Sequence, residues 1–218
     1  MDFGGAGNGR FRGVRYGTSW DEGVAGKHVS RQIPRHRLLD PKFREGFAEL
    51  SKLGLTFDSW HFHPQLPDLV DLARAFPQQT IIVDHVGGVL GVGQYAGKKA
   101  EIMPIWKKSL RELAACPNVN IKLGGLGMTS FGFGFEFRDA PPSSQELADT
   151  WRPYIEPCIE AFGVGRCMFE SNFPPDKQSC GYTELWNAFK IVTAKASAQE
   201  KTALYSGTAA RVYKLKPN

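Results

Sequence analysis

Ile81-Ile82-Val83-Asp84-His85-Val86-Gly87-Gly88 is the stretch on which the fold turns. Three β-branched apolar residues in a row suit a short strand buried on both faces, as in a parallel sheet. The His falls where that strand ends. The glycines after it let the backbone approach a ligand closely. In barrels of alternating strands and helices, that strand end is where chemistry sits. The alternative is a strand-end histidine whose ring is bonded to a neighbouring loop.

The same alternation runs outward in both directions. The sequence predicts five parallel strands near 10–16, 54–59, 80–84, 119–123 and 166–170. Asp40-Pro41 reads as an N-cap with proline at the first helical position, and Phe43, Phe47 and Leu50 follow at helical spacing. Leu66, Leu69, Val70 and Ala73 mark a second helix, stopped by Pro77. Ile102, Ile105, Trp106, Leu110 and Leu113 mark a third, and Pro104 places its start close to residue 103. Ser143-x-x-Glu146 caps a fourth, which Pro153 and Pro157 are expected to split in two. Another helix is expected over 181–194, and Ser197-x-x-Glu200 opens a last helix or pair of helices ending near Tyr213. Gly124 to Phe137 is too glycine-rich for a helix. It reads as a lid over the site, or as a loop that plugs one end with phenylalanines.

Strand–helix repetition at this spacing predicts an α/β fold with a parallel sheet and right-handed crossovers. Five strands fall short of the eight in a closed barrel, so the expectation is part of a barrel or an open doubly wound sheet. No G-x-G-x-x-G turn follows the first strand, which argues against a dinucleotide fold.

Composition narrows the function. The 218 residues are 42% hydrophobic and 22% charged, as in an ordinary globular domain. Lys and Arg number 27 against 22 Asp and Glu, a net charge of +5, and the basic residues are scattered rather than clustered for nucleic acid. No apolar run is long enough to span a membrane, and no signal peptide is visible. Cys116, Cys158, Cys167 and Cys180 form no Cys-x-x-Cys pair, so they read as reduced thiols and the expected compartment is the cytoplasm. Residues 1–9 are Gly-rich and expected to be disordered, with one barrel-type domain over 10–218.

Polar residues recur at the strand ends: Asp58, His61 and His63 after the second, Asp84 and His85 after the third, Lys122 in the fourth, and Glu170 and Asn172 after the fifth. Strand ends of one parallel sheet share a rim, so Asp58, His63, His85, Lys122 and Asn172 are expected within about 12 Å of one another. In an extended segment His61 and His63 point the same way and both reach one metal; the alternative is a pair of loop histidines, since Pro64 and a helix follow at once. Asp58 serves equally as a structural acceptor, and Lys122 as a carboxylate's partner. No G-x-S-x-G elbow is present, which argues against a serine hydrolase.

Four blocks together resemble the amidohydrolase-related family, which contains sugar and dicarboxylate lactonases and some decarboxylases. They are Phe57-Asp58 with His63-Pro64-Gln65-Leu66-Pro67; Val83-Asp84-His85-Val86-Gly87-Gly88; Ile121-Lys122-Leu123-Gly124-Gly125-Leu126; and Met168-Phe169-Glu170-Ser171-Asn172-Phe173-Pro174. Arg12-Gly13-Val14-Arg15 resembles a mid-barrel strand, and the likeness runs from Arg10 to the C-terminus. The resemblance implies a (β/α)8 barrel represented by its last five strands, without the first three and their His-x-His pair. It implies His85, His63, Asp58, Glu170 and Asn172 as catalytic groups. Arg15, Gln65 and Lys122 are implied as contacts to a small anionic substrate such as a lactone.

Where many relatives carry Asp, this chain has Asn172. An amide binds metal weakly and takes no proton at neutral pH; the resemblance to one branch of the family implies work without metal, or with Glu170 or Asp176 as the base. His85 is the one weak metal candidate. Zinc is the cofactor implied, and weak metal binding or none is expected. The implied reaction is attack of water on a lactone or ester. Hydrolysis by the 218 residues alone is expected to be poor, and to recover when three N-terminal strands are supplied. The alternatives are a barrel fragment without turnover, or two copies that complete each other's sheet as a homo-oligomer.

Overall fold

In a computed structural model, which describes residues 10–24 and 33–215, five strands form one parallel sheet. They are β1 (Gly13–Gly17), β2 (Thr56–Trp60), β3 (Ile81–Val83), β4 (Val119–Leu123) and β5 (Cys167–Phe169), hydrogen-bonded in chain order. Helices α1 (Pro41–Lys52), α2 (Leu66–Ala75), α3 (Lys99–Ala114) and α4 (Ser144–Phe162) connect successive strands, and α5 (Tyr182–Val192) follows β5. A last helical stretch runs through α6 (Ala198–Thr202), a π-helical turn over Ala203–Gly207, and α7 (Thr208–Val212). Strands in sequential order with helical crossovers make this a segment of a (β/α)8 barrel. The expected disorder of 1–9 lies outside the described residues.

The caps foreseen in the sequence form. Asp40 accepts from the Phe43 N–H and Ser143 from the Glu146 N–H, so each satisfies an orphan donor of the first turn. Two proline expectations are corrected. α4 runs unbroken from Ser144 to Phe162 through Pro153 and Pro157, and α3 begins at Lys99, four residues before the expected start, with Pro104 inside it. Each interior proline forgoes one backbone bond, and Leu147, Trp151, Ile155 and Cys158, all fully buried, hold α4 against the sheet. β1 also begins at Gly13 rather than residue 10.

The two faces of the sheet differ. Phe57, Ile81, Val83, Val119, Ile121, Leu123 and Phe169 point outward into the main core with the helices. On the concave face, Arg15 pairs in register with Asp58, Asp58 with Ile82, and Ile82 with Asn120. Lys122 stands two residues beyond Asn120, opposite Met168. The concave face is therefore apolar at its floor, where Ile82 and Met168 pack with Val212 of α7, and charged toward the strand ends. Arg211 of α7 donates to the Gly165 carbonyl at 2.5 Å, tying the chain end to the turn before β5.

Candidate active site

The charged residues of the concave face and of the strand ends form one network. Lys122 reaches Asp58 at 2.7 Å, Asp84 at 2.9 Å and Glu170 at 3.7 Å. Burial works to lower its pKa, but the three carboxylates outweigh burial and hold it above the ordinary lysine value, so the side chain stays cationic. Arg15 Nε bonds Asp84 at 2.7 Å, and another nitrogen of the same guanidinium lies 2.8 Å from His85 Nε2. Asp84 is fully buried, while half of the Arg15 side chain is exposed. Tyr213, just past α7, donates its hydroxyl to Asp58 at 2.6 Å.

His85 is held on both ring nitrogens. Nδ1 lies 2.5 Å from Glu170 Oε1, and the same oxygen accepts the His85 backbone N–H at 3.3 Å. A guanidinium only donates, so Nε2 accepts from Arg15 and the ring proton sits on Nδ1 toward Glu170. Burial works to raise the Glu170 pKa, but His85, Lys122 and Arg15 outweigh it and hold the carboxyl below its ordinary value. His85 and Val86 both have positive φ, 53° and 49°. For a β-branched residue such as Val86 this is a strained backbone, of the kind that persists where the surroundings over-determine it. Gly125 makes room for the ring: a Cβ there would meet His85 Cγ at 2.5 Å.

A cavity of 260 Å³ opens above this network, lined by Arg15, Trp60, His85, Ser130, Asn172 and Gln178 among others. The Trp60 ring stands edge-on to His85 with centroids 4.7 Å apart. Asn172 donates its amide N–H to Asp176 Oδ1 at 2.6 Å, while the other Asp176 oxygen accepts the Gly127 N–H at 3.0 Å. Asp176 is fully buried, and burial pushes its pKa up to about 7. The Gly124–Phe137 segment presents Thr129 and Ser130 to this cavity. Phe131 and Phe135 are buried beneath it, so it is wall and plug at once.

Of the residues singled out in the sequence, Arg15, Asp58, His85, Lys122 and Glu170 share contacts, and Asn172 lines the same cavity. His63 and Gln65 are employed elsewhere. His63 Nδ1 accepts the Leu90 N–H at 3.2 Å, and burial lowers its pKa to about 4. Gln65 Oε1 accepts the N–H groups of Trp20 and Phe62 at 2.9 and 3.1 Å, and its amide donates to the Thr18 carbonyl at 2.5 Å. It clamps the loop after β1 to the loop after β2. His61 is fully buried, with Nε2 unpartnered among the described residues. Asp84, named with His85 at the third strand end, joins the network through Arg15 and Lys122. Two contributors were not singled out. Trp60 and Tyr213 had no sequence signal, since one is an aromatic at a strand end like any core residue and the other arrives from the far end of the chain.

A segment of a (β/α)8 barrel with a strand-end His–Glu pair among buried charges is an arrangement on which barrel enzymes build their sites. The sequence profile of the amidohydrolase family matches residues 6–215, and the chain belongs to that family. It is 35% identical over 207 residues to an uncharacterised protein, y4mH, of Sinorhizobium fredii, covering 94% of this chain and 61% of that one. It is 30% identical over 177 residues to an L-fucono-1,5-lactonase of Burkholderia multivorans, covering 81% of this chain and 57% of the lactonase. The crystal structure of an amidohydrolase from Burkholderia multivorans with bound zinc superposes with a TM-score of 0.76 at 28% identity, over 94% of this chain and 65% of that one. The chain thus spans about three fifths of the length of the curated relatives it matches.

The zinc of that structure has no matching donor set here. Among the described residues, no three His, Cys, Asp or Glu side chains are grouped as a metal ion needs. Both nitrogens of His85 are engaged, and the Lys122 ammonium stands among the three carboxylates that would otherwise attract a cation. These residues by themselves do not fit a zinc centre.

Proposed function

We propose that this chain carries the reacting groups of a hydrolase that opens a sugar lactone. The observation behind the reading is the His85–Glu170 pair, aimed into a cavity beside the Arg15 guanidinium. Glu170 fixes the imidazole with its proton on Nδ1, and Nε2 faces the cavity as an acceptor. A substrate that draws Arg15 onto its own oxygen frees Nε2 to take a proton from water. The water oxygen bonds to the lactone carbonyl carbon, and its proton passes to Nε2. The carbonyl oxygen becomes an oxyanion facing Arg15. The ring C–O bond then breaks, the departing oxygen takes the proton back from Nε2, and a hydroxy acid leaves. Asn172 and Ser130 are placed to hold sugar hydroxyls. A lactone is favoured over other esters by the 30% identity to an L-fucono-1,5-lactonase.

The test is proton release on L-fucono-1,5-lactone, measured at constant pH. It is run on the 218 residues alone and on the same chain fused behind the first three strand–helix units of the Burkholderia lactonase. Slow hydrolysis is expected from the chain alone, because a missing wall costs positioning. The fusion is expected to be faster by about 10²-fold or more, with His85→Ala abolishing the gain. A folded fusion without hydrolysis, or one indifferent to His85→Ala, overturns the reading.

A further inference from the structure

A second cavity, of 370 Å³, lies on the far side of the Gly124–Phe137 segment from the active site. The backbone between them is sealed: the Gly91 N–H donates to the Ser130 carbonyl at 2.9 Å, and a Cβ on Gly91 would strike the Phe131 carbonyl at 2.0 Å. Thr129 and Ser130 face one cavity, Phe131 and Phe133 the other. Four aromatic residues, Tyr95, Phe131, Phe133 and Tyr154, line the second cavity. The Tyr154 ring is 6.0 Å from Phe131 and 5.6 Å from Phe133, both edge-on, and Ile102 and Met103 of α3 complete an apolar lining.

Of the cavity's polar side chains, Tyr95 donates to Asp21 and Thr150 to the Glu146 carbonyl, which leaves Tyr154, Lys99 and Asp149. Tyr154 is 96% buried, being 4% exposed, and its hydroxyl is the part that remains accessible, with no hydrogen bond among the described residues. Burial alone raises its pKa to about 12, so it is a donor at any ordinary pH. An accessible hydroxyl without a protein partner is free to donate to a ligand acceptor. Lys99 Nζ stands over the Tyr154 ring, 5.0 Å from its centroid, at the same wall of the cavity. Asp149 is also at the wall. It accepts only from Gln145, at 3.0 Å, and pairs with no cation among the described residues. Lys99 and Asp149 do not pair with each other.

We infer that this cavity is a binding site, separate from the reacting centre, for an amino acid with an aromatic side chain. Its ring lies among Phe131, Phe133 and Tyr154; its carboxylate meets Lys99 and the Tyr154 hydroxyl; its ammonium meets Asp149. The volume sits at the small end of ligand pockets, where a single ring fits and a larger scaffold does not. One unpaired charge of each sign at the mouth selects a zwitterion over a simple acid or amine.

The probes are L-phenylalanine, phenylacetate and phenethylamine, titrated by calorimetry or by protein NMR into the 218-residue chain. L-phenylalanine is expected to bind with Kd on the order of 0.1–1 mM, as suits so few atoms. Each of the other two is expected to bind about 5-fold or more weakly, for want of one charge contact. Tyr154→Phe deletes only the hydroxyl and is expected to weaken L-phenylalanine about 5–10-fold, and Lys99→Met by a similar factor. Arg15→Met, whose side chain lines only the other cavity, is expected to leave it unchanged. Absence of binding overturns the inference, as does binding that falls with Arg15→Met and not with Tyr154→Phe. Phenylacetate binding as well as L-phenylalanine overturns the assignment of an amino acid.

Discussion

Two strand ends of this sheet carry histidines, and their fates are opposite. At the end of β3, His85 is bonded through both ring nitrogens, to an anion and to a cation, and its backbone is bent to positive φ to reach them. At the end of β2, His61 and His63 are buried too but, among the described residues, lack an anionic partner within bonding distance. Burial lowers the His61 pKa to about 3 and that of His63 to about 4. The residue type and the depth are shared, so neither decides the chemistry. What decides it is whether the neighbouring strands deliver charge. β1, β4 and β5 bring Arg15, Lys122 and Glu170 toward His85, while His63 receives only the Leu90 N–H and His61 the Ser59 hydroxyl, at 3.1 Å.

The comparison breaks most visibly in activity. His85→Ala, measured in the three-strand fusion, is expected to lower the rate on lactone about 10²–10⁴-fold, the usual worth of a positioned base. Glu170→Gln should fall nearly as far, because an amide no longer fixes the Nδ1 proton, whereas His61→Gln and His63→Gln should stay within about 10-fold of the parent. A His63 variant as inactive as His85→Ala would show that the β2 end takes part in the chemistry and that the contrast between the two ends is false.

Lys122 tests the charge network through stability. Its removal strands Asp58, Asp84 and Glu170 together in a place water scarcely reaches. Lys122→Met is expected to cost about 3–5 kcal/mol in urea unfolding, the range for breaking a buried pair from one side. Adding Asp84→Asn should recover part of the loss by removing one stranded charge. Non-recovery would mean that Lys122 matters through packing of its stem rather than through its charge.

The β2 end should instead show in the acid limb of stability. His63 is held neutral in the fold at pH values where the unfolded chain binds a proton, between its ordinary value of 6.5 and about 4. The stability it contributes is present above 6.5 and drains as pH falls through that window, at up to about 1.4 kcal/mol per pH unit. Asp176 acts with the opposite sign. Its carboxyl, raised to about 7, takes up a proton in the fold before it does so unfolded, so its contribution grows as pH falls from 7 toward 3.8. The two partly cancel in the parent chain. Comparing His63→Gln with the parent isolates the His term: the slope of unfolding free energy against pH between 6.5 and 4.5 should change by close to one proton. An unchanged slope would mean that His63 is protonated in the fold.

The sequence showed the strands better than their consequences. Ile81-Ile82-Val83 announces itself because a parallel strand buried on both faces has no polar alternation to blur it, and Asn120-Ile121-Lys122-Leu123 because it alternates at the strand period. The prolines of α4 misled, because a local propensity was read without the fully buried Trp151 and Ile155 that override it. At the site, a strand-end position predicts a shared rim but not which way a side chain turns beyond the strand. Hence Arg15, Asp58 and Lys122, inside or next to regular strands, fell together as the register requires. Gln65, in a turn, went to backbone amides that no spacing rule reveals. Tyr213 could not be foreseen at all, since it comes to Asp58 from 155 residues away.

That last contact carries the smallest expected effect and sharpens the contrast between pair and network. Tyr213 donates to the same Asp58 oxygen that Lys122 contacts, and its ring lies 5.9 Å from the Lys122 ammonium. Tyr213→Phe deletes the hydroxyl and keeps the ring, and thus the apolar contact with Ile82 and Met168. Asp58 keeps Lys122 at 2.7 Å, so no charge is stranded. The cost should be that of one hydrogen bond to an ionised acceptor, about 1.5 kcal/mol, well below the cost of Lys122→Met. It should appear as a shift of the urea midpoint without change of slope, because the same surface is exposed on unfolding. The double variant Tyr213→Phe with Lys122→Met should depart from the sum of the two, since both groups share one oxygen. Strict additivity would mean that the chain end is merely packed against the concave face and is no part of the charge network.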